Sequence, residues 1–187
     1  MITGLLLAAG RGTRFAATHK LLHPLQDGTP MALAALRNLA PCVDQTMVVI
    51  RPEDSALHTV LQMEGVHFIQ CKDAQLGLGA SIACGVRAAA HADGWLIALA
   101  DMPFISPETI RNVAGQLSTG AALVAPQYQT QRGHPVGFGK IHYSALTTLG
   151  NDEGARRIVD EHKSGLVLID CKDPGVLRDI DTLEDLA

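Results

Sequence analysis

Residues 2–15 read ITGLLLAAGRGTRF: an apolar run over residues 2–8 that breaks at Gly10 and Gly12 into a basic loop carrying Arg11 and Arg14. A short run with no polar alternation, stopped by glycines, suits a strand buried on both faces and is far too short to span a membrane. Working outward, the same signal returns at residues 46–50, 66–70, 94–100, 121–125 and 166–169. Between these runs the spacing predicts helices over 30–39, 54–62, 80–90, 107–117 and 153–161. Pro30 and Pro107 suit first-turn positions, and Ser106 suits the N-cap of the 107–117 helix. Doubly buried strands alternating with helices predict an α/β fold: three layers around a mostly parallel central sheet. No repeat or linker interrupts residues 1–187, which read as one domain, with 127–133 as its most polar loop.

Composition narrows the function. Of 187 residues, 47% are hydrophobic and only 4% aromatic, enough for a core but poor in stacking platforms for single-stranded nucleic acid. Fifteen basic against nineteen acidic residues give a net charge of −4, so neither nucleic acid nor an anionic membrane is an expected partner. Cys42, Cys71, Cys84 and Cys171 lie far apart, without zinc-ligand spacing, and read as reduced thiols. The N-terminus lacks the pattern of a signal peptide, and a cytoplasmic location is expected.

In open α/β sheets ligands collect at the carboxyl ends of strands. After the first strand comes Ala8-Ala9-Gly10-Arg11-Gly12-Thr13-Arg14, with Lys20 further on. The glycines allow backbone N–H groups to converge on an anion, and Arg14 and Lys20 can neutralise phosphate; a plain glycine turn with solvated cations is the alternative. Residues 95–101 form an apolar run ending in Asp101, placed either to hold Mg²⁺ or to cap the turn before Pro103. Asp179 and Asp181 flank Ile180 near the C-terminus, either as metal ligands or at the start of a capped final helix. Gly77, Gly79 and Ser81 lead into a helix of small residues, a tight turn that also offers free N–H groups. Arg132-Gly133-His134-Pro135-Val136 opens another strand, and Arg156 follows Asp152-Glu153-Gly154-Ala155; each basic group could be structural or face a ligand.

Together these segments resemble the MobA-like NTP transferases, with most similarity to molybdenum cofactor cytidylyltransferases. LAAGRGTRF followed by Lys20-Leu21-Leu22 resembles the family's opening, LADMPF around Asp101 its metal-binding stretch, and Asp181-Thr182-Leu183-Glu184-Asp185 its late acidic signature. Two departures stand out: Ala16 replaces a usual glycine, and one extra residue separates Arg14 from Lys20. The resemblance implies a Rossmann-like nucleotidyltransferase fold. It also implies a nucleotide cradle of Ala8 to Arg14 and Lys20 with Gly77, Gly79 and Ser81 against the base. Catalytic duty falls to Arg14, Lys20 and Asp101, and Mg²⁺ to Asp101 and Asp181. Arg132, His134 and Arg156 lie on the acceptor side.

The implied reaction takes CTP and the phosphate of molybdopterin, releases pyrophosphate, and hands its product to a molybdoenzyme. A GTP-dependent relative, a sugar-phosphate transferase and a non-catalytic cofactor carrier are the alternatives. Ala9 favours CTP, because related guanylyltransferases carry glycine there and the added Cβ narrows the space beside the base.

Overall fold

In a computed structural model all residues are described except 11, 13, 14, 16–18, 151–153 and 187. Strands β1 (Ile2–Leu7), β2 (Gln45–Ile50), β3 (Phe68–Gln70) and β4 (Gly94–Leu99) pair in parallel in the order β3-β2-β1-β4. Leu5 faces Met47 on one side and Ile97 on the other. Beyond β4 the direction changes. Strand β7 (Val136–Gly139) runs antiparallel between β4 and β5 (Leu123–Tyr128), and β5 pairs with both β6 (Gln131–Arg132) and β8 (Leu166–Asp170).

The chain's alternation explains the layers. Along β1, Ile2 and Leu6 pack on one face with helices α1 (Met31–Leu39), α2 (Ser55–Met63) and α4 (Pro107–Ser118) through Leu36, Leu57 and Val113. Leu5 and Leu7 pack on the other with α3 (Leu78–Ala88), α5 (Tyr143–Thr147) and α6 (Arg156–Glu161) through Ile82, Leu146 and Ile158. Successive strand side chains point to opposite faces, so a strand covered on both sides must be apolar throughout.

Several expected details hold. Ser106 Oγ accepts from Glu108 N at 3.2 Å and Pro107 opens α4. Others are corrected. The predicted loop at 127–133 is a hairpin, with Tyr128 paired to Gln131 across Gln129 and Thr130, which take φ of 47° and 69°. Neither turn residue is glycine, so the usual hairpin signal was missing from the sequence. Asp54 is the N-cap of α2, accepting from Leu57 N at 3.1 Å. The capped helix expected at 181 is a single 3-10 turn at Glu184–Leu186, and Asp185 caps backward: its Oδ2 accepts from Asp181 N and Thr182 N at 2.9 and 2.7 Å. These bonds hold the Asp185 carboxyl below its usual range.

Candidate active site

Strand order reverses at β1, whose neighbours β2 and β4 lie on opposite sides, and a crevice forms at their carboxyl ends. Ala100 N donates to Leu7 O, extending the ladder, and Asp101 follows at the rim. Ile180 N then donates to Asp101 O at 2.9 Å, bringing the C-terminal segment alongside β4 and Asp181 next to Asp101. Lys20, in the 3-10 turn Lys20–Leu22, sends its ammonium between them: Nζ donates to Asp101 Oδ2 at 2.8 Å and to Asp181 Oδ1 at 2.9 Å. Desolvation alone would lower the lysine pKa, but the hydrogen bonds and charge of the two carboxylates outweigh it, so the ammonium titrates above its ordinary value. Gly12 is needed here twice over. Its φ is +56°, and a Cβ would approach Lys20 Cβ to 3.0 Å.

A cavity of about 490 Å³ spans the strand ends above this cluster. Of the expected nucleotide residues, Ala9, Gly10, Gly12, Lys20, Gly77 and Ser81 line it, together with Asp101. Ala8 is buried below, its N–H donating to Val49 O, and Gly79 is packed into the first turn of α3, so neither lines the cavity. Arg11, Thr13 and Arg14 lie outside the described residues. Asp179 is exposed, while Asp181, two residues on, reaches Lys20.

A second cavity, about 260 Å³, shares Leu7, Leu78 and Leu99 with the first. Arg132, His134 and Arg156 all line it, over a floor that includes Ile82, Ile97 and Phe138. The structure therefore gathers the three expected acceptor-side residues from two segments, 132–134 and Arg156. His134 N donates to Val176 O at 2.9 Å, the His134–Pro135 peptide is cis, and Nδ1 is buried with no hydrogen-bond partner. Burial lowers the His134 pKa; the charge of Asp101 opposes this only partly. Asp160 lies 3.9 Å from Arg132 and 3.8 Å from Arg156, long exposed pairings that leave both guanidinium groups capacity for a ligand.

Three polar cavity residues escaped the sequence reading: His19, Arg51 and Gln75. His19 Nε2 pairs with Asp54 Oδ1 at 2.8 Å, a contact across 35 positions that no spacing reveals. Arg51 was within reach, because it directly follows β2 and the carboxyl-end rule covers it.

The donor set fits a hard divalent cation. Two carboxylates converge on one cationic nitrogen, and Mg²⁺ characteristically takes one or two carboxylates plus substrate phosphates. Among the described residues no group of three or more His, Cys, Asp or Glu forms a self-sufficient metal cage.

Residues 4–165 match the MobA-like NTP transferase domain. The chain is 30% identical over 194 residues to the purine catabolism protein PucB of Bacillus subtilis (strain 168), covering 98% of this chain and 93% of that protein. It is 29% identical over 193 residues to a protein named nicotine blue oxidoreductase from Paenarthrobacter nicotinovorans, covering 99% and 94%. A solved nucleotidyl transferase from Methanothermobacter thermautotroptrophicus superposes with a TM-score of 0.84 at 26% identity, covering 99% of this chain and 94% of that one. The chain belongs to the MobA-like NTP transferase family and is a nucleotidyltransferase, of a kind that works on a nucleoside triphosphate with a divalent metal.

Proposed function

We propose that this MobA-like nucleotidyltransferase moves CMP from CTP to the terminal phosphate of molybdopterin, releasing pyrophosphate. The observation that carries the reading is the meeting of two unlike cavities at Leu7, Leu78 and Leu99. The first has a polar end at Lys20 and Asp101 and glycine-rich walls, suited to a triphosphate. The second has an apolar floor under two arginines and a neutral histidine, suited to a flat heteroaromatic ring carrying a phosphate. A sugar phosphate would bring hydroxyls against Ile82, Ile97 and Phe138, where they would lack hydrogen-bond partners.

In this reading an oxygen of the acceptor phosphate bonds to the α-phosphorus of CTP. The bond from that phosphorus to the bridging oxygen breaks, and pyrophosphate leaves with the electron pair. A phosphate monoester has its second pKa near ~6 and is ionised at neutral pH, so no side chain has to take a proton from it. Positioning and charge neutralisation remain. Asp101 and Asp181 would hold Mg²⁺, whose chemistry when bound is to offset the negative charge of the reacting phosphates. Lys20, charged at neutral pH, offers donors to the departing pyrophosphate, and Arg14 has the matching role from the opening loop. Arg132 and Arg156 orient the acceptor.

Ala9 is consistent with the choice of CTP. It is buried beside the cavity, so its methyl group takes space that a glycine would leave open. The expected preference over GTP is ~two to four decades in kcat/KM. Incubating the protein with labelled CTP or GTP, Mg²⁺ and molybdopterin, and measuring pyrophosphate release, tests the reading. CTP turnover dependent on molybdopterin is the expected result. Turnover with sugar 1-phosphates instead, or pterin binding without turnover, would overturn it.

A further inference from the structure

Arg51 presents a problem in burial that a ligand would solve. It stands one residue beyond β2, on the wall of the 490 Å³ cavity, with Gln75 and Gly77 from the β3–α3 connection on the same wall. Its Nε is buried and has no hydrogen-bond partner. The only ion pair it makes among the described residues is with exposed Glu53, at 3.8 Å from Nη1, too long for a hydrogen bond. A buried guanidinium N–H that has left water without gaining an acceptor is costly, so such a group at a cavity wall points to an acceptor that arrives with the ligand. A second buried nitrogen on this wall, His19 Nδ1, is likewise unpaired, while Nε2 is held by Asp54.

Position decides which part of the ligand this is. Arg51 follows β2 and Asp101 follows β4, with β1 between them. Two strand spacings of ~4.8 Å separate the pair across the sheet, about the distance from the α-phosphate of a nucleotide to its base. An NTP whose α-phosphate lies at Asp101 thus brings its base toward Arg51.

We infer that Arg51 reads the nucleobase, donating to the adjacent acceptors O2 and N3 of cytosine. This rests on the CTP reading above and names the residue that enforces it. A guanidinium has donors and no acceptor, so it rewards two adjacent acceptors on a base edge. Uracil presents N3–H between its carbonyls and opposes the fork with a donor. Arg51 therefore selects CTP over UTP, a choice that the Cβ of Ala9 cannot make because the two pyrimidines have the same size.

The test is titration calorimetry with Mg²⁺ and CTP, UTP or inorganic tripolyphosphate on wild type, Arg51→Gln and Arg51→Lys. The fold of each variant is checked by its thermal melt. Wild type should prefer CTP to UTP by about tenfold or more. Arg51→Gln should lose most of that preference by weakening CTP alone, with tripolyphosphate unchanged. Arg51→Lys, which keeps the charge without the fork, should retain only part of it. Equal weakening of CTP and tripolyphosphate would make Arg51 a phosphate ligand and overturn the inference. So would an unchanged CTP-to-UTP ratio in a folded Arg51→Gln variant. Failure of wild type to bind any nucleotide, or a preference for GTP, would instead overturn the parent reading, and the cytosine assignment with it.

Discussion

The all-parallel half of the sheet and the mixed half beyond β4 assemble their candidate site residues by different means. In the parallel half most of them closely follow a strand: Gly10 and Gly12 after β1, Arg51 after β2, Gln75 and Gly77 after β3, Asp101 after β4; Lys20 and Asp181 join them from elsewhere in the chain. In the half formed by β7, β5, β6 and β8, Arg132, His134 and Arg156 meet through contacts between distant segments. Gly133 N donates to Pro126 O, and His134 N donates to Val176 O. A Cβ on Gly133 would overlap the Val176 carbonyl, and one on Gly175 would overlap the Phe104 carbonyl. One half hangs most of its residues on the ends of a rigid frame, with the Lys20–Asp181 contact as the exception; the other rests throughout on contacts between distant segments. Changes in the first half should therefore damage chemistry and spare the fold, whereas changes in the second should damage both.

The largest effect should come from Asp101→Asn. The substitution keeps the size of the side chain and leaves Lys20 its partner Asp181, but removes half the carboxylate charge at the proposed metal position. A loss of at least ~100-fold in kcat is expected, roughly 2.7 kcal/mol, with a melting temperature close to wild type. Near-normal turnover would remove Asp101 from the mechanism. Lys20→Met should also slow turnover, by about tenfold or more, through loss of a charge-assisted contact to phosphate. It has a second readout. With no ammonium between Asp101 and Asp181, Mn²⁺ binding in the absence of nucleotide should tighten, because the ion no longer competes with Lys20. Unchanged or weaker Mn²⁺ affinity would show that the carboxylates do not form the metal position.

Gly133→Ala tests the other half. Overlap with the Val176 backbone should cost ~1–3 kcal/mol of stability, seen as a lower melting temperature, and should raise the KM for the acceptor. Binding of CTP should change little. Loss of CTP affinity comparable to the loss of acceptor affinity would end the distinction between the halves.

The same contrast accounts for what the sequence disclosed. Local signals, such as an apolar run followed by glycine or aspartate, sufficed to locate β1, β4, the strand-end position of Asp101 and the 77–81 turn, because in parallel α/β units ligands collect at strand ends. The insertion of β7 antiparallel between β4 and β5 carries no such mark, since alternation of apolar residues does not encode direction. The Gln129–Thr130 turn lacked glycine or asparagine, so the β5–β6 hairpin read as a loop. Family likeness singled out Asp181, and Lys20 was expected to face phosphate; their hydrogen bond across 161 positions was beyond any spacing argument. Asp54 beside His19, and the orphaned nitrogen of Arg51, belong to the same class of tertiary facts.

The smallest expected effect is an acid sensitivity centred in the mixed half. His134 beside the second cavity and His142 after β7 both titrate below the ordinary histidine value near 6.5, chiefly through burial. For His142 the neighbouring His162, at 4.8 Å between ring centroids, adds to the lowering. The sign follows from proton counts. Below pH 6.5 the unfolded chain protonates these rings while the folded chain resists, so the unfolded state binds more protons and stability falls with pH. The loss begins near 6.5 and continues down to each folded-state pKa, with a slope of at most ~1.4 kcal/mol per pH unit per histidine. Asp27, Asp93 and Asp185, whose pKa values are lowered from 3.8, contribute only at more acidic pH. Denaturant titrations between about pH 6.5 and 5.5 should therefore be governed by the histidines, since the Met1 amine, raised from 8.0, is protonated in both states there. His142→Asn should reduce the slope, although the substitution itself lowers stability at neutral pH through lost packing against Phe138. An identical slope in wild type and variant would mean that His142 contributes nothing to acid sensitivity, leaving His134 to carry it alone.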